Sequence, residues 1–316
     1  RARVTLNAAG ARAGEIMTRF GVRRPFPLLR AINLVTSKPA RDMALAAPAQ
    51  NGRMLTLVPW RGKAIVGTGQ SSVLVGPGDT AVTPAEIDAF IVDANHAFPA
   101  LGLTRADVTL VHRGVVPAHL TGDVVDLKPA PEILDHSAEG AEGAMTVIGV
   151  KYTTARGLAE RVTGAVARRL GRRLPPSRTA TRTLPGAGIA DHEALAIETA
   201  RGLRMDVPLA TIRHLITLYA EAGAGIIRLM NERPDLSGPV CPEVATIGAE
   251  VLHVIRHEMA VTLADIVVRR TGLGSAGPPH REAVAACARI AAAELGWDVS
   301  RVAEEIAAVD RVYVIG

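Results

Sequence analysis

The chain has 316 residues and a mass of 33.1 kDa, with 48% hydrophobic and 21% charged residues. That is enough for about two domains and too apolar for wholesale disorder. Only 3% of residues are aromatic, so the cores must rest on Ala, Val, Leu and Ile, and an aromatic platform for single-stranded nucleic acid is disfavoured. The net charge of +5 is carried by arginines that read as interleaved with acids, which predicts a dispersed solvated surface and no nucleic-acid partner.

Cys241 and Cys287 form neither a disulfide framework nor a CxxC metal pattern, so a reducing, cytoplasmic setting fits. No apolar run approaches the roughly 20 residues that a membrane helix needs. The chain opens on Arg1 with no leader-like segment and enters a strand at Val4-Thr5-Leu6, which reads as a piece of something longer. Of the 36 basic residues only Lys38, Lys63, Lys128 and Lys151 are lysines. A lysine kept against that bias supplies a compact point charge where a planar fork serves less well.

In chain order, Ala31 to Thr36 reads as a strand. Arg53 to Val58 and Lys63 to Gly67 read as a hairpin turned by Pro59-Trp60-Arg61-Gly62. Thr83-Pro84-Ala85-Glu86 is a capping box with proline at the first helical position, predicting a helix to about Ala97. Asp107 to His112, Val124 to Leu127 and Thr146 to Ile148 are further strands, and a helix follows from Ala155 to Leu170. Residues 171–190 are rich in arginine and proline and read as a linker. Beyond them, apolar residues at three and four spacing predict helices over His192 to Arg201, Leu209 to Tyr219, Ala224 to Met230, Glu243 to His257, Leu263 to Arg270, Arg281 to Leu295 and Ser300 to Val309. Asp191 and Ser300 are the expected N-caps.

Three features bear on chemistry. Gly186-Ala187-Gly188 lacks the preceding strand and third glycine of a dinucleotide fingerprint and reads as a linker turn. His253 and His257 stand one helical turn apart, but with no third ligand evident they read as structural imidazoles, and no metal is expected. The third is a strand, then Gly149-Val150-Lys151-Tyr152-Thr153-Thr154, then a helix. A helix start offers unpaired N–H donors and the positive dipole end, and Gly149 lets a ligand approach the backbone. Lys151 adds a cation. The segment suits an anion or an electron-rich ring, or else is a capped helix with no ligand.

Ile148-Gly149-Val150-Lys151-Tyr152-Thr153-Thr154-Ala155-Arg156 resembles the GGKxTTYR segment of FAD-dependent glycerol-3-phosphate dehydrogenases. Asn7-Ala8-Ala9-Gly10 resembles the family's NAAG. Val58-Pro59-Trp60-Arg61-Gly62 with Ile65-Val66-Gly67-Thr68, then Thr83 to Ile87, then Glu258-Met259-Ala260 through Arg269-Arg270-Thr271, resemble later landmarks in the same order.

The resemblance implies an α/β fold: the remnant of a glutathione-reductase-like FAD domain with an α+β, mixed-sheet substrate domain over residues 1–170, a linker at 171–190, and an all-α domain over 191–316. It implies that a GxGxxG unit belongs before Arg1, so that these 316 residues alone do not retain FAD. It implies an enzyme that oxidises sn-glycerol 3-phosphate to dihydroxyacetone phosphate by hydride transfer to FAD. Asn7, Ala8, Ala9, Gly10, Gly149, Val150, Lys151, Tyr152 and Thr153 would contact the cofactor, and Lys151, Arg113 and Lys128 the substrate. A quinone or another acceptor would take the electrons. A homodimer and peripheral attachment to the inner face of the cell membrane are compatible with the family. Val116 stands where the family has a phosphate-binding arginine. Arg113, three positions earlier, points to the other face of a regular strand and substitutes for it only if the strand ends or bulges there. Two alternatives therefore stay open: a flavin oxidoreductase for an unphosphorylated hydroxy acid or alcohol, and a degenerate, non-catalytic member.

Overall fold

Strict alternation shapes the first sheet. In strand β4 (Met54–Trp60) Leu55 and Leu57 are buried while Met54, Thr56 and Val58 face solvent, the period-2 pattern of a half-covered strand. It pairs with β5 (Lys63–Gln70) through Trp60↔Lys63, so the turn is only Arg61-Gly62, with φ of 48° and 74°. Two positive φ values are what a two-residue hairpin with the native strand twist needs. The predicted four-residue turn is thus two residues shorter, and Pro59 lies inside the strand. Proline is tolerated there because β3 (Leu45–Pro48) stops pairing at Leu57 and leaves that edge open.

The computed structural model describes residues 2–203 and 207–315. They form two compact units, one from residues up to 34 and 38–182, the other from 183–315 with 35–37.

In the first unit, a six-stranded sheet runs β3-β4-β5-β2-β6-β7, with β2 Leu28–Thr36, β6 Val108–Thr121 and β7 Val124–Leu127. Helix α2 (Pro84–Ala97) covers part of it. Thr83 Oγ1 accepts the Glu86 N–H, and Glu86 accepts the Thr83 N–H at 2.8 Å. Ile87, Phe90, Ile91 and Ala94 make its buried stripe. A Cβ on Gly69 would stand 2.8 Å from the Phe90 ring, so only glycine lets the helix lie this close. A three-stranded sheet, β1-β9-β8, joins β1 (Thr5–Asn7), β9 (Ala144–Ile148) and β8 (Glu132–Asp135). Helix α1 (Ala13–Arg19) follows β1, and α3 (Ala155–Arg169) follows β9.

The second unit is helical: α4 (His192–Gly202), α5 (Leu209–Tyr219), α6 (Gly223–Glu232), α7 (Gly248–His257), α8 (Arg281–Leu295) and α9 (Val299–Val312). One of its cores joins Val251, Val254 and Ile255 of α7 to the small buried face of α8, including Cys287, Ala288 and Ala291. Three expectations are corrected. Asp298, not Ser300, caps α9, accepting the Arg301 N–H at 2.7 Å. Helix α7 starts at Gly248 rather than Glu243, because Ile247 is extended and its N–H is held by Glu250 Oε1 at 2.8 Å. Asp265–Arg270 is a π-helical segment. Among the described residues no helix is long and apolar enough to cross a membrane.

Every residue from 171 to 180 is exposed. Brief trypsin treatment should therefore cut first within 171–190, at Arg172, Arg173, Arg178 or Arg182. First cleavage elsewhere, mapped by mass spectrometry, would move the domain boundary.

Candidate functional site

Strands β1 and β9 are parallel, in register from Thr5↔Ala144 to Asn7↔Thr146. Both therefore end at one edge, and both turn there into a helix. The carboxyl edge of parallel strands is where open α/β sheets take ligands.

After β9, Gly149 to Thr154 cross this edge and, Val150 apart, are exposed. A single turn of 3-10 helix, Tyr152–Thr154, leads into α3. The Thr154 N–H and hydroxyl both donate to the Lys151 carbonyl, at 3.2 and 3.0 Å. This closes the carbonyl side of the turn. The backbone N–H groups of Gly149, Val150, Lys151, Tyr152 and Thr153 find no partner among the described residues. The Lys151 ammonium makes no ion pair among them either, and Tyr152 is 100% exposed. Free donors, a helix start and one cation thus converge on one exposed turn, an arrangement that favours an anion or a ring accumulating negative charge.

The second junction behaves differently. Ala8, Ala9 and Gly10 are exposed, but Asn7 is turned inward. Its Nδ2 donates to Ala13 O at 2.9 Å and to Thr146 Oγ1 at 3.1 Å, and its Oδ1 accepts the Ala9 N–H. Thr146 in turn meets His136 Nε2 at 2.8 Å, and His136 Nδ1 meets Glu139 at 2.6 Å. All three inward residues, Asn7, Thr146 and His136, are buried. Asn7 shapes the turn through its side chain, leaving Ala8 to Gly10 to face outward. Thr146→Val would leave Asn7 Nδ2 one bond short and His136 Nε2 with none. It should cost about 1–3 kcal/mol in urea unfolding, with Thr146→Ser restoring most of it. An unchanged midpoint would show that the two junctions are held in register by something else.

The structure separates the two cations expected to meet the substrate. Strand β6 does not end near His112; it runs to Thr121, and Arg113 sits exposed in its middle with no ion pair among the described residues. Lys128 lines a cavity of about 260 Å³ together with Arg24, His119, Met17 and Ile148, the residue just before Gly149. Arg113 does not line it. Lys128 Nζ is held by Glu132 at 2.6 Å. Arg24 and His119 escaped the sequence reading because each stands alone in a segment with no motif.

The two histidines of α7 are neighbours, with ring centroids 4.9 Å apart. Burial and the adjacent His257 hold His253 below the usual imidazole range, and no group of three metal-ligating side chains occurs among the described residues.

A family model described as the C-terminal domain of alpha-glycerophosphate oxidase matches residues 177–302. The chain is 34% identical over 224 residues to a glycerol-3-phosphate dehydrogenase of Synechocystis sp., covering 69% of this chain and 39% of that protein. It is 28% identical over 320 residues to the glycerol-3-phosphate dehydrogenase of Mycobacterium leprae, covering 97% and 52%. Among solved structures, the glycerol-3-phosphate dehydrogenase of Bacillus halodurans complexed with FAD aligns at a TM-score of 0.77 and 23% identity, over 99% of this chain and 62% of that one. The chain spans between two fifths and about half the length of these two curated relatives.

Proposed function

Because the chain belongs to the FAD-dependent glycerol-3-phosphate dehydrogenase family, we propose that it supplies one side of a flavin site and part of the pocket for a phosphorylated polyol. The reaction is oxidation of sn-glycerol 3-phosphate to dihydroxyacetone phosphate. FAD, when bound, supplies the acceptor for the hydride leaving the alcohol carbon.

The observation that carries this reading is the row of N–H groups from Gly149 to Thr153, unpaired among the described residues, beside Lys151. These residues fit the polar end of a flavin ring, where negative charge gathers on reduction. Preorganised donors stabilise such charge without reorganising during the reaction. Ala8 to Gly10, on the neighbouring junction, offer a second backbone surface to the same ligand. The network through Asn7, Thr146 and His136 holds the two turns in register.

Lys128, at the cavity below Gly149, is proposed to anchor the substrate phosphate, exchanging its Glu132 partner for the ligand. Arg113, exposed in the middle of β6 and outside that cavity, is given no part in it. Lys128→Ala should raise KM for sn-glycerol 3-phosphate about ten- to a hundredfold more than for glycerol, since a charge-assisted hydrogen bond contributes about 1.5–3 kcal/mol. Arg113→Ala should leave that ratio unchanged. Equal effects of Lys128→Ala on both substrates would remove Lys128 from phosphate recognition. Val116, in place of the family arginine, favours a second reading, an unphosphorylated hydroxy acid or alcohol, for which glycerol-like substrates would win that comparison.

A further inference from the structure

Residues 161–190 contain seven arginines and no Asp, Glu, Lys or His. Their charge of +7 exceeds the +5 of the whole chain, so everything outside this stretch sums to −2. The arginines are interleaved with acids elsewhere but not here. Arg169 is engaged by Asp135 and Glu142. Arg161, Arg168, Arg172, Arg173, Arg178 and Arg182 are exposed and make no ion pair among the described residues.

The same stretch folds back along α3 and leaves a groove of about 620 Å³. Ala159, Leu174, Pro175 and Pro176 give it an apolar lining, and Arg156 and Arg178 also border it. Leu174 is half exposed. Arg156 is tied to Glu160 at 2.7 Å and Thr179 at 3.0 Å, which fixes one side of the groove.

We propose that this groove docks an extended, acidic peptide segment of a partner protein, with an apolar side chain against Leu174 and Pro175 and carboxylates on the arginines. Arginine forks match carboxylates two bonds at a time, and arginine clusters are a recurring solution for acidic motifs. The site is concave, which suits an inserted side chain better than a lipid surface. No aromatic residue lies between Tyr152 and Tyr219, so bases would have nothing to stack on.

The test uses the 316-residue chain and a fluorescent octapeptide of glutamates and leucines, with an all-glutamate octapeptide, phosphatidylglycerol vesicles and polyuridylate as competitors. The mixed peptide should bind and should compete better than the other three. Reversing Arg172, Arg173 and Arg178 to glutamate should weaken it by roughly tenfold or more, as should raising the salt past the range where surface charges are screened. Leu174→Ser should weaken the mixed peptide and leave the all-glutamate one unchanged. All four positions are exposed, so the variants should keep the far-ultraviolet circular dichroism of the parent. The proposal is overturned if the mixed peptide does not bind, if binding ignores the reversals, or if vesicles or polyuridylate compete as well as the peptide.

Discussion

Replacing Lys151 with alanine is expected to slow reduction of the bound flavin by roughly ten- to a thousandfold, the range seen when one preorganised donor to a developing charge is lost. The expectation follows from the position of the side chain. Lys151 sits between β9 and α3 in extended backbone, at φ −145° and ψ 132°, and its own carbonyl is spent on Thr154. Its N–H and its ammonium have no partner within the described chain. Alanine keeps the backbone donor and removes only the cation, so the turn should keep its shape. Lys151→Arg should recover part of the rate, since the charge returns in a bulkier, planar form. Stopped-flow measurement of flavin reduction at saturating substrate reads this directly. Unchanged kinetics would remove Lys151 from the site and leave the backbone donors as its whole contribution.

The largest effect on stability is expected at Glu250. Its carboxylate is fully buried in the helical unit. It accepts from His214 Nε2 at 3.0 and 3.1 Å and from the Ile247 N–H at 2.8 Å, the bond that sets where α7 begins. Burial, and the nearby Glu250 charge, push the Tyr219 phenol well above its usual range, so it stays protonated. Glu250→Ala would strand the imidazole and the N–H together. Each buried donor left unsatisfied costs about 1–3 kcal/mol, so losing both bonds should cost about 2–5 kcal/mol, visible in thermal or urea unfolding of the helical unit. Glu250→Gln keeps an acceptor for Ile247 and should cost less. A loss below about 1 kcal/mol for the alanine variant would mean that water reaches His214 and repairs the gap.

Local signals were legible in the sequence, and distant ones were not. Helix α2 could be placed to the residue because Thr83, Pro84 and Glu86 specify its start within four positions. Lys151 stood out because glycine, lysine and threonines lie together between a strand and a helix. Strands β3 and β8, four residues each, are too short to show a period. Gly114 and Pro117 hide the run of β6 past His112, since glycine and proline are both poor residues for a strand interior. The Pro117 carbonyl nevertheless accepts the Lys128 N–H at 3.1 Å. The role of the Asn7 side chain depends on Thr146, 139 residues away, and no local pattern carries that. The charge of residues 161–190 was hidden by averaging, because acids elsewhere cancel it in the total.

On the proposed reading, the turn from Gly149 to Thr153 faces the polar end of a flavin, where negative charge gathers on reduction, and serves the oxidation of a phosphorylated alcohol. Anaerobic addition of sn-glycerol 3-phosphate to the flavin-loaded full-length enzyme, followed by the visible absorbance of the flavin, tests it most directly. Rapid bleaching is expected, with glycerol far slower at equal concentration and Lys151→Ala reaching the same end point at a much reduced rate. No bleaching by sn-glycerol 3-phosphate, or bleaching by glycerol at an equal rate, would contradict it.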